Sequence, residues 1–225
     1  MNTTPLDCVI LDVDTPRYSV IWLHGLGADG HDFEPVAETL EFTHKTHTRF
    51  VFPHAPVRPV TINNGMAMRA WYDIRRMSID EAQDAAGIRT SAAAIEQLTA
   101  AEAARGIPTG HIVLAGFSQG GAIALHTGLR YGERLAGIMA LSTYLPLRDT
   151  FEAERHSANQ HTPIFMGHGI RDNVVPESLG RATCKQLEQL GYAVEWHEYP
   201  MEHSVSLDEI TDIGHWLERI LTDPD

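Results

Sequence analysis

Gly116-Phe117-Ser118-Gln119-Gly120, with a further glycine at 121, has the spacing of a serine nucleophile held on a sharp turn. A short apolar run of β-forming residues, His111-Ile112-Val113-Leu114-Ala115, stands in front of it. Behind it, Ala122 to Leu129 reads as a helix that stops near Gly132. Where a strand turns at once into a helix, main chain meets main chain, and glycines two residues either side of the serine remove clashing side chains. The hydroxyl is thereby thrust out at the carboxyl end of the strand. With glycine near 7% of average usage, the pentapeptide alone would arise by chance in about one chain in ten of this length. The strand before and the helix after lift it above that level.

A serine hydroxyl is a poor nucleophile at neutral pH, so it needs a base, and the base needs a carboxylate to fix its tautomer. In α/β sheets such groups gather in loops just past the carboxyl ends of strands. Asp172 meets that condition after the run Pro163 to Gly169, and His203 meets it after the alternating run Ala193 to Tyr199. The order Ser118, Asp172, His203 is the one a nucleophile elbow of this type requires. His168 and His197 are rival bases among the 13 histidines. However, His197 falls inside a strand and His168 precedes the carboxylate. An oxyanion needs two amide donors: Gln119, next after the serine, and Leu26 in the early loop His24-Gly25-Leu26-Gly27. His24 reads as a brace for that loop. Together these groups would transfer an acyl group to serine and then to water.

The elements that must position them follow from the pattern of apolar runs. Leu6–Val13, Tyr18–Leu23, Arg49–Pro53, the run before Ser118, Leu135–Leu141, Pro163–Gly169 and Ala193–Tyr199 read as strands. Helical stretches come between them: Phe33 to Leu40, the Ala-rich Ser78 to Arg105, the segment after Ser118, and Ser178 to Leu190. A last helix covers Leu207 to Leu221. Ser78 is the candidate N-cap of the Ala-rich helix, with Asp80 and Glu81 in its first turn and Ala92 to Ala104 as its core. Strands alternating with helices predict an α/β domain with a mostly parallel sheet, spanning 1–225 as one unit. Pro53 to Ser78 reads as a long irregular segment, and such segments are often functional. Thr150 to Thr162 reads as an exposed loop or short helix.

A net charge of −13 without a basic cluster argues against nucleic acid and against adhesion to an anionic membrane. The acidic N-terminal stretch does not read as a signal peptide, and no apolar run is long enough for a bilayer. Cys8 and Cys184 fit no metal or redox spacing and read as reduced thiols in a cytoplasmic protein. The histidines at 44, 47, 156 and 161 lack metal-site spacing, and no metal is expected.

The chain resembles the phospholipase/carboxylesterase family of α/β-hydrolases, which includes the acyl-protein thioesterases. The segments that carry the resemblance run over nearly the whole length. They are His24-Gly25-Leu26-Gly27, Pro53 with Ala55-Pro56, Ala70-Trp71-Tyr72-Asp73, the Ser118 elbow, and Leu141-Ser142. His168-Gly169 before Asp172, Val174-Val175-Pro176, and Tyr199-Pro200 before His203 complete the series. The resemblance implies Ser118, Asp172 and His203 as the triad, with Leu26 and Gln119 as oxyanion donors. It also implies a compact hydrolase with helices flanking the sheet, no large lid domain, no metal or organic cofactor, and a homodimer. Glu202, just before the histidine, departs from the glycine common in the family. Met66, Trp71, Tyr72, Tyr144 and Met201 are the candidates for an acyl pocket. The expected activity is hydrolysis of short- to medium-chain carboxylic esters. A lysophospholipase or acyl-protein thioesterase is the nearest alternative, and a non-catalytic binding module on a hydrolase fold is a remote one.

Overall fold

The computed structural model describes residues 5–76 and 83–222. Nine strands lie in these residues: β1 (Cys8–Leu11), β2 (Tyr18–Leu23), β3 (Thr48–Pro53), β4 (Val57–Val60), β5 (Met66–Arg69), β6 (Ile112–Phe117), β7 (Gly137–Leu141), β8 (Ile164–Gly169) and β9 (Val194–Tyr199). The helices are α1 (Glu34–Thr39), α2 (Ala85–Ala104), α3 (Gln119–Gly128), α4 (Arg148–Glu154), α5 (Glu177–Gln189) and α6 (Leu207–Ile220). Seven strands form one sheet in the order β1-β3-β2-β6-β7-β8-β9. Only β1 is antiparallel to its neighbour; the remaining pairings are parallel. This is the α/β-hydrolase arrangement expected from the alternation of strands and helices, and no lid domain interrupts it among the described residues.

Strands covered on both faces bury every residue, which is why β2, β3, β7 and β8 read as continuous apolar runs rather than alternating ones. Alternate residues feed two separate cores. Trp22, Leu141 and Phe165 join Phe33 and Trp216 from α1's N-terminus and α6 on one face. On the other, Ile21, Leu23, Ile112 and Leu114 pack with Ile88 and Ile95 of α2 and Ile123 of α3. A third cluster, with Ile138, Met166, Phe151 and Leu187, seats α4 and α5. No helix of the described residues is long and apolar enough to cross a membrane.

Two segments differ from the sequence expectation. The stretch after Pro53 contains an antiparallel ribbon, β4 against β5, rather than irregular chain alone. Its turn uses Asn64 in the left-handed region at φ 55°, followed by Gly65. An Asn-Gly pair between two short strands is a hairpin signal, but four-residue strands with a proline, Pro59, carry too little alternation to be read unaided. The Ala-rich helix starts at Ala85, upstream of its expected core. Its cap is Asp84, whose carboxylate accepts the Gly87 N–H at 3.2 Å. Ser78, Asp80 and Glu81 lie outside the described residues.

One polar side chain is carried into the core by α6. Glu209 is fully buried beside Gly167 of β8, and neither carboxyl oxygen has a hydrogen-bond partner among the described residues. Burial, with Asp212 adding to it, pushes this carboxyl up to about 8. Because the folded value lies above the unfolded one, its contribution to stability is full at acid pH and is lost as pH rises towards 8. The slope is at most about 1.4 kcal/mol per pH unit. Urea unfolding from pH 5 to 8 should therefore show wild type losing stability relative to Glu209→Gln; parallel curves would refute this.

Candidate active site

The corner between β6 and α3 places Ser118 at φ 55° and ψ −119°, a conformation that side-chain-bearing residues seldom adopt. Neighbours on both sides hold it there. The Ser118 N–H donates to the Leu141 carbonyl at 2.8 Å, and Thr143 Oγ1 donates to the Ser118 carbonyl at 2.7 Å. The flanking glycines are sterically required. A Cβ at Gly116 would overlap the Gly120 backbone. One at Gly120 would lie 2.5 Å from the His24 carbonyl oxygen and closer still to that of Leu23. Backbone cannot yield as a flexible side chain does, so Gly120→Ala should cost about 3 kcal/mol, the upper end for overpacking. A urea midpoint unchanged from wild type would contradict this.

Past the ends of β8 and β9, the two loops singled out by the sequence meet Ser118. His203 Nε2 is 2.9 Å from Ser118 Oγ, and His203 Nδ1 is 2.6 Å from Asp172 Oδ2. Asp172 Oδ1 accepts the N–H groups of Val174 at 2.9 Å and Val175 at 2.8 Å. Burial pushes the Asp172 carboxyl up, but the His203 bond and these two amides outweigh it, leaving the carboxyl below its usual range. An ionised carboxylate only accepts, so Nδ1 of His203 carries the proton and Nε2 is left to accept the Ser118 hydroxyl. The imidazole also lies against Phe117, with ring centroids 4.7 Å apart.

His168 is displaced from this line by its own bonding. It is fully buried and its Nε2–H donates to the Val175 carbonyl at 2.9 Å, while burial lowers its basicity. His197 is engaged elsewhere, its Nε2 lying 2.9 Å from Glu195 Oε1 of β9 and its Nδ1 3.4 Å from Asp212 Oδ2 of α6. Glu202 is exposed and has no positive φ, so its backbone does not call for the glycine found elsewhere; its carbonyl accepts the Ser204 N–H at 2.9 Å.

Gln119 and Leu26 line the same cavity as Ser118 and His203. The Gln119 N–H belongs to the first turn of α3, where amides have no intrahelical acceptor and point at bound negative charge. His24 braces the facing loop: its Nε2 accepts the Ala55 N–H at 3.1 Å, so Nδ1–H donates to the Gly25 carbonyl at 2.7 Å. Burial keeps this ring neutral by lowering its pKa. A neutral ring with both nitrogens engaged in the scaffold has no proton to exchange with substrate.

The cavity, about 420 Å³, has an apolar wall that includes Leu26, Ile62, Ile74, Phe117, Val174 and Val175. Of the five pocket candidates, Tyr72 and Tyr144 line it. The other three do not. Met66 is 65% exposed on β5, where the ribbon turns it to solvent. Trp71 is wholly buried beneath the site: its main-chain N–H donates to Gln119 Oε1 at 2.8 Å and its indole N–H to the His24 carbonyl at 2.9 Å. It therefore ties the two amide-bearing segments together. Met201 is buried behind the His203 loop, its carbonyl accepting the Arg171 N–H. Ile62 and Ile74 were not anticipated, since isolated isoleucines in irregular chain give no periodic signal.

The family model described as Phospholipase/Carboxylesterase matches residues 7–221. The chain belongs to the phospholipase/carboxylesterase family. Acyl-protein thioesterase 1 of Yarrowia lipolytica is 39% identical over 206 residues, covering 89% of this chain and 91% of that protein. Acyl-protein thioesterase 1 of Neurospora crassa is 41% identical over 212 residues, covering 90% and 86%. Among solved structures, Arabidopsis thaliana SOBER1 superimposes with a TM-score of 0.86 at 30% identity, covering 92% of this chain and 100% of that one. Zea mays acyl-protein thioesterase 2 gives a TM-score of 0.83 at 25% identity, covering 96% and 99%. As a phospholipase/carboxylesterase family member, this chain is a serine hydrolase acting on esters or thioesters. The reading as a non-catalytic binding module is thereby set aside.

Proposed function

We propose that this family member is a carboxylesterase for short- to medium-chain acyl esters, with Ser118, His203 and Asp172 as its triad. The observation that carries the reading is the unbroken line from Asp172 through His203 to Ser118, opening onto a cavity with an apolar wall and charged residues such as Asp73 and Arg75 also lining it. Ser118 Oγ attacks the acyl carbonyl while His203 Nε2 takes its proton. The amides of Gln119 and Leu26 hold the oxyanion, and Asp172 stabilises the imidazolium. His203 then protonates the leaving alcohol or thiol, and the same base activates water to release the acid. The reading carries no metal or organic cofactor. It also carries a cytoplasmic location, no nucleic-acid partner and a homodimer; the charge of −13 supports the exclusion of nucleic acid, and the dimer rests on resemblance alone.

A cavity of about 420 Å³ sits in the lower part of the ~300–1,000 Å³ range of ligand pockets, which favours the shorter acyl chains. The relatives named acyl-protein thioesterase 1 favour a second reading, an acyl-protein thioesterase, which we take as the long-chain alternative. An ester series with one leaving group and increasing acyl length distinguishes them. The proposed enzyme should stop gaining in kcat/KM near eight carbons. Continued gains of about 0.8 kcal/mol per buried CH₂ beyond that length would favour the long-chain reading.

A further inference from the structure

One fully buried polar side chain lies directly behind the triad without belonging to it. His168, near the end of β8, stands four residues before Asp172, and two other elements close its ring in. Trp196 of β9 lies against one face, with ring centroids 5.9 Å apart and planes at 24°. The backbone of α5 covers the Nδ1 edge so tightly that a Cβ at Gly180 would lie 2.4 Å from that nitrogen. The imidazole is therefore held in one orientation.

The two ring nitrogens differ in what they meet. A carbonyl only accepts, so the 2.9 Å contact with the Val175 oxygen fixes the proton on Nε2 and leaves Nδ1 with a bare lone pair. Nδ1 has no hydrogen-bond partner among the described residues. A buried acceptor without a donor is destabilising, and an apolar ring of the same shape would avoid that cost. What offsets it is the Nε2–H. Val175 is gripped at both of its main-chain polar groups: its carbonyl accepts from His168, and its N–H donates to Asp172 Oδ1 at 2.8 Å. With Oδ1 held there, Oδ2 is left facing His203 Nδ1 at 2.6 Å, and His168 Nε2 lies 3.6 Å from that same Oδ2. We propose that His168 is a positioning residue for the triad: its Nε2–H anchors Val175, and Val175 sets the plane of the Asp172 carboxylate that orients His203.

This inference rests on the triad reading. Its test compares wild type with His168→Phe, which keeps a ring and removes the donor. His168→Gln is the conservative variant, because a glutamine amide can place an N–H where Nε2 stands. Against an acyl ester, kcat should fall by about 10²-fold in His168→Phe and by no more than about tenfold in His168→Gln. The His203 Nδ1 proton, carried far downfield in the NMR spectrum by its short bond to Asp172, should shift or vanish in His168→Phe and persist in His168→Gln. Equal losses in the two variants would reduce His168 to a packing role and overturn the inference. An unchanged kcat and His203 resonance in His168→Phe would overturn it as well. Wild type alone supplies a check that needs no variant to fold: imidazole ¹⁵N shifts at neutral pH should show His168 as the neutral Nε2–H tautomer, and an Nδ1–H or charged ring there would overturn it. Failure of the triad reading looks different, because Ser118→Ala would then keep wild-type turnover whatever the state of His168.

Discussion

Ser118→Ala should lower kcat/KM towards an acyl ester by roughly 10⁶ while leaving the fold in place. The size follows from what is lost. Without Oγ there is no acyl-enzyme, and His203 has only water to activate in a cavity shaped for attack by the serine. The amides of Gln119 and Leu26 would still polarise the carbonyl, so a residual rate above that in water is expected. Alanine keeps the backbone at φ 55° and ψ −119° without relieving it, and Gly116 and Gly120 still provide the necessary clearance. The unfolding midpoint should therefore stay close to wild type. Near-native turnover by a folded variant would remove Ser118 from the reaction.

Asp172→Asn should cost roughly 10⁴ in kcat, from a change of proton position with little change of shape. Oδ1 of Asp172 accepts two amide N–H groups, from Val174 and Val175. An asparagine must keep its oxygen on that side, which turns its NH₂ towards His203 Nδ1. Nδ1 must then accept rather than donate, so the imidazole proton moves to Nε2. Nε2 now presents a donor to Ser118 where the reaction needs an acceptor. The electrostatic support for the imidazolium is lost in the same step. Steady-state kinetics, with circular dichroism to verify folding, measure this directly. A loss below tenfold in folded protein would mean that Asp172 is a turn former only.

The sheet and the three-residue line were legible because each leaves a local signature. Buried parallel strands are continuous apolar runs, and the loops after β8 and β9 each follow such a run at once. The elbow is legible because main-chain crowding at Gly116 and Gly120 tolerates no other residue. The cavity wall was legible only in part. Tyr72 and Tyr144 are 72 positions apart, and their meeting at 2.8 Å depends on how Gln119 and Thr143 clamp two loops. Trp71 was expected in the pocket for its size and motif; its two donated bonds hold it beneath the site instead. Met66 shows the same limit from the other side. Nothing in a four-residue strand tells which face of an unrecognised ribbon meets solvent. Glu209 sits in the first turn of α6, where a helix dipole favours negative charge at the surface, yet the fold buries it.

The central claim is that Ser118 is the nucleophile, activated by His203. Treatment of the folded protein with a fluorophosphonate, followed by peptide mass spectrometry, tests it most directly. The predicted result is one phosphonyl adduct on the peptide containing Ser118, abolished in Ser118→Ala and strongly slowed in His203→Ala. An adduct on a different residue, or an unlabelled Ser118 in folded wild-type protein, would contradict the account.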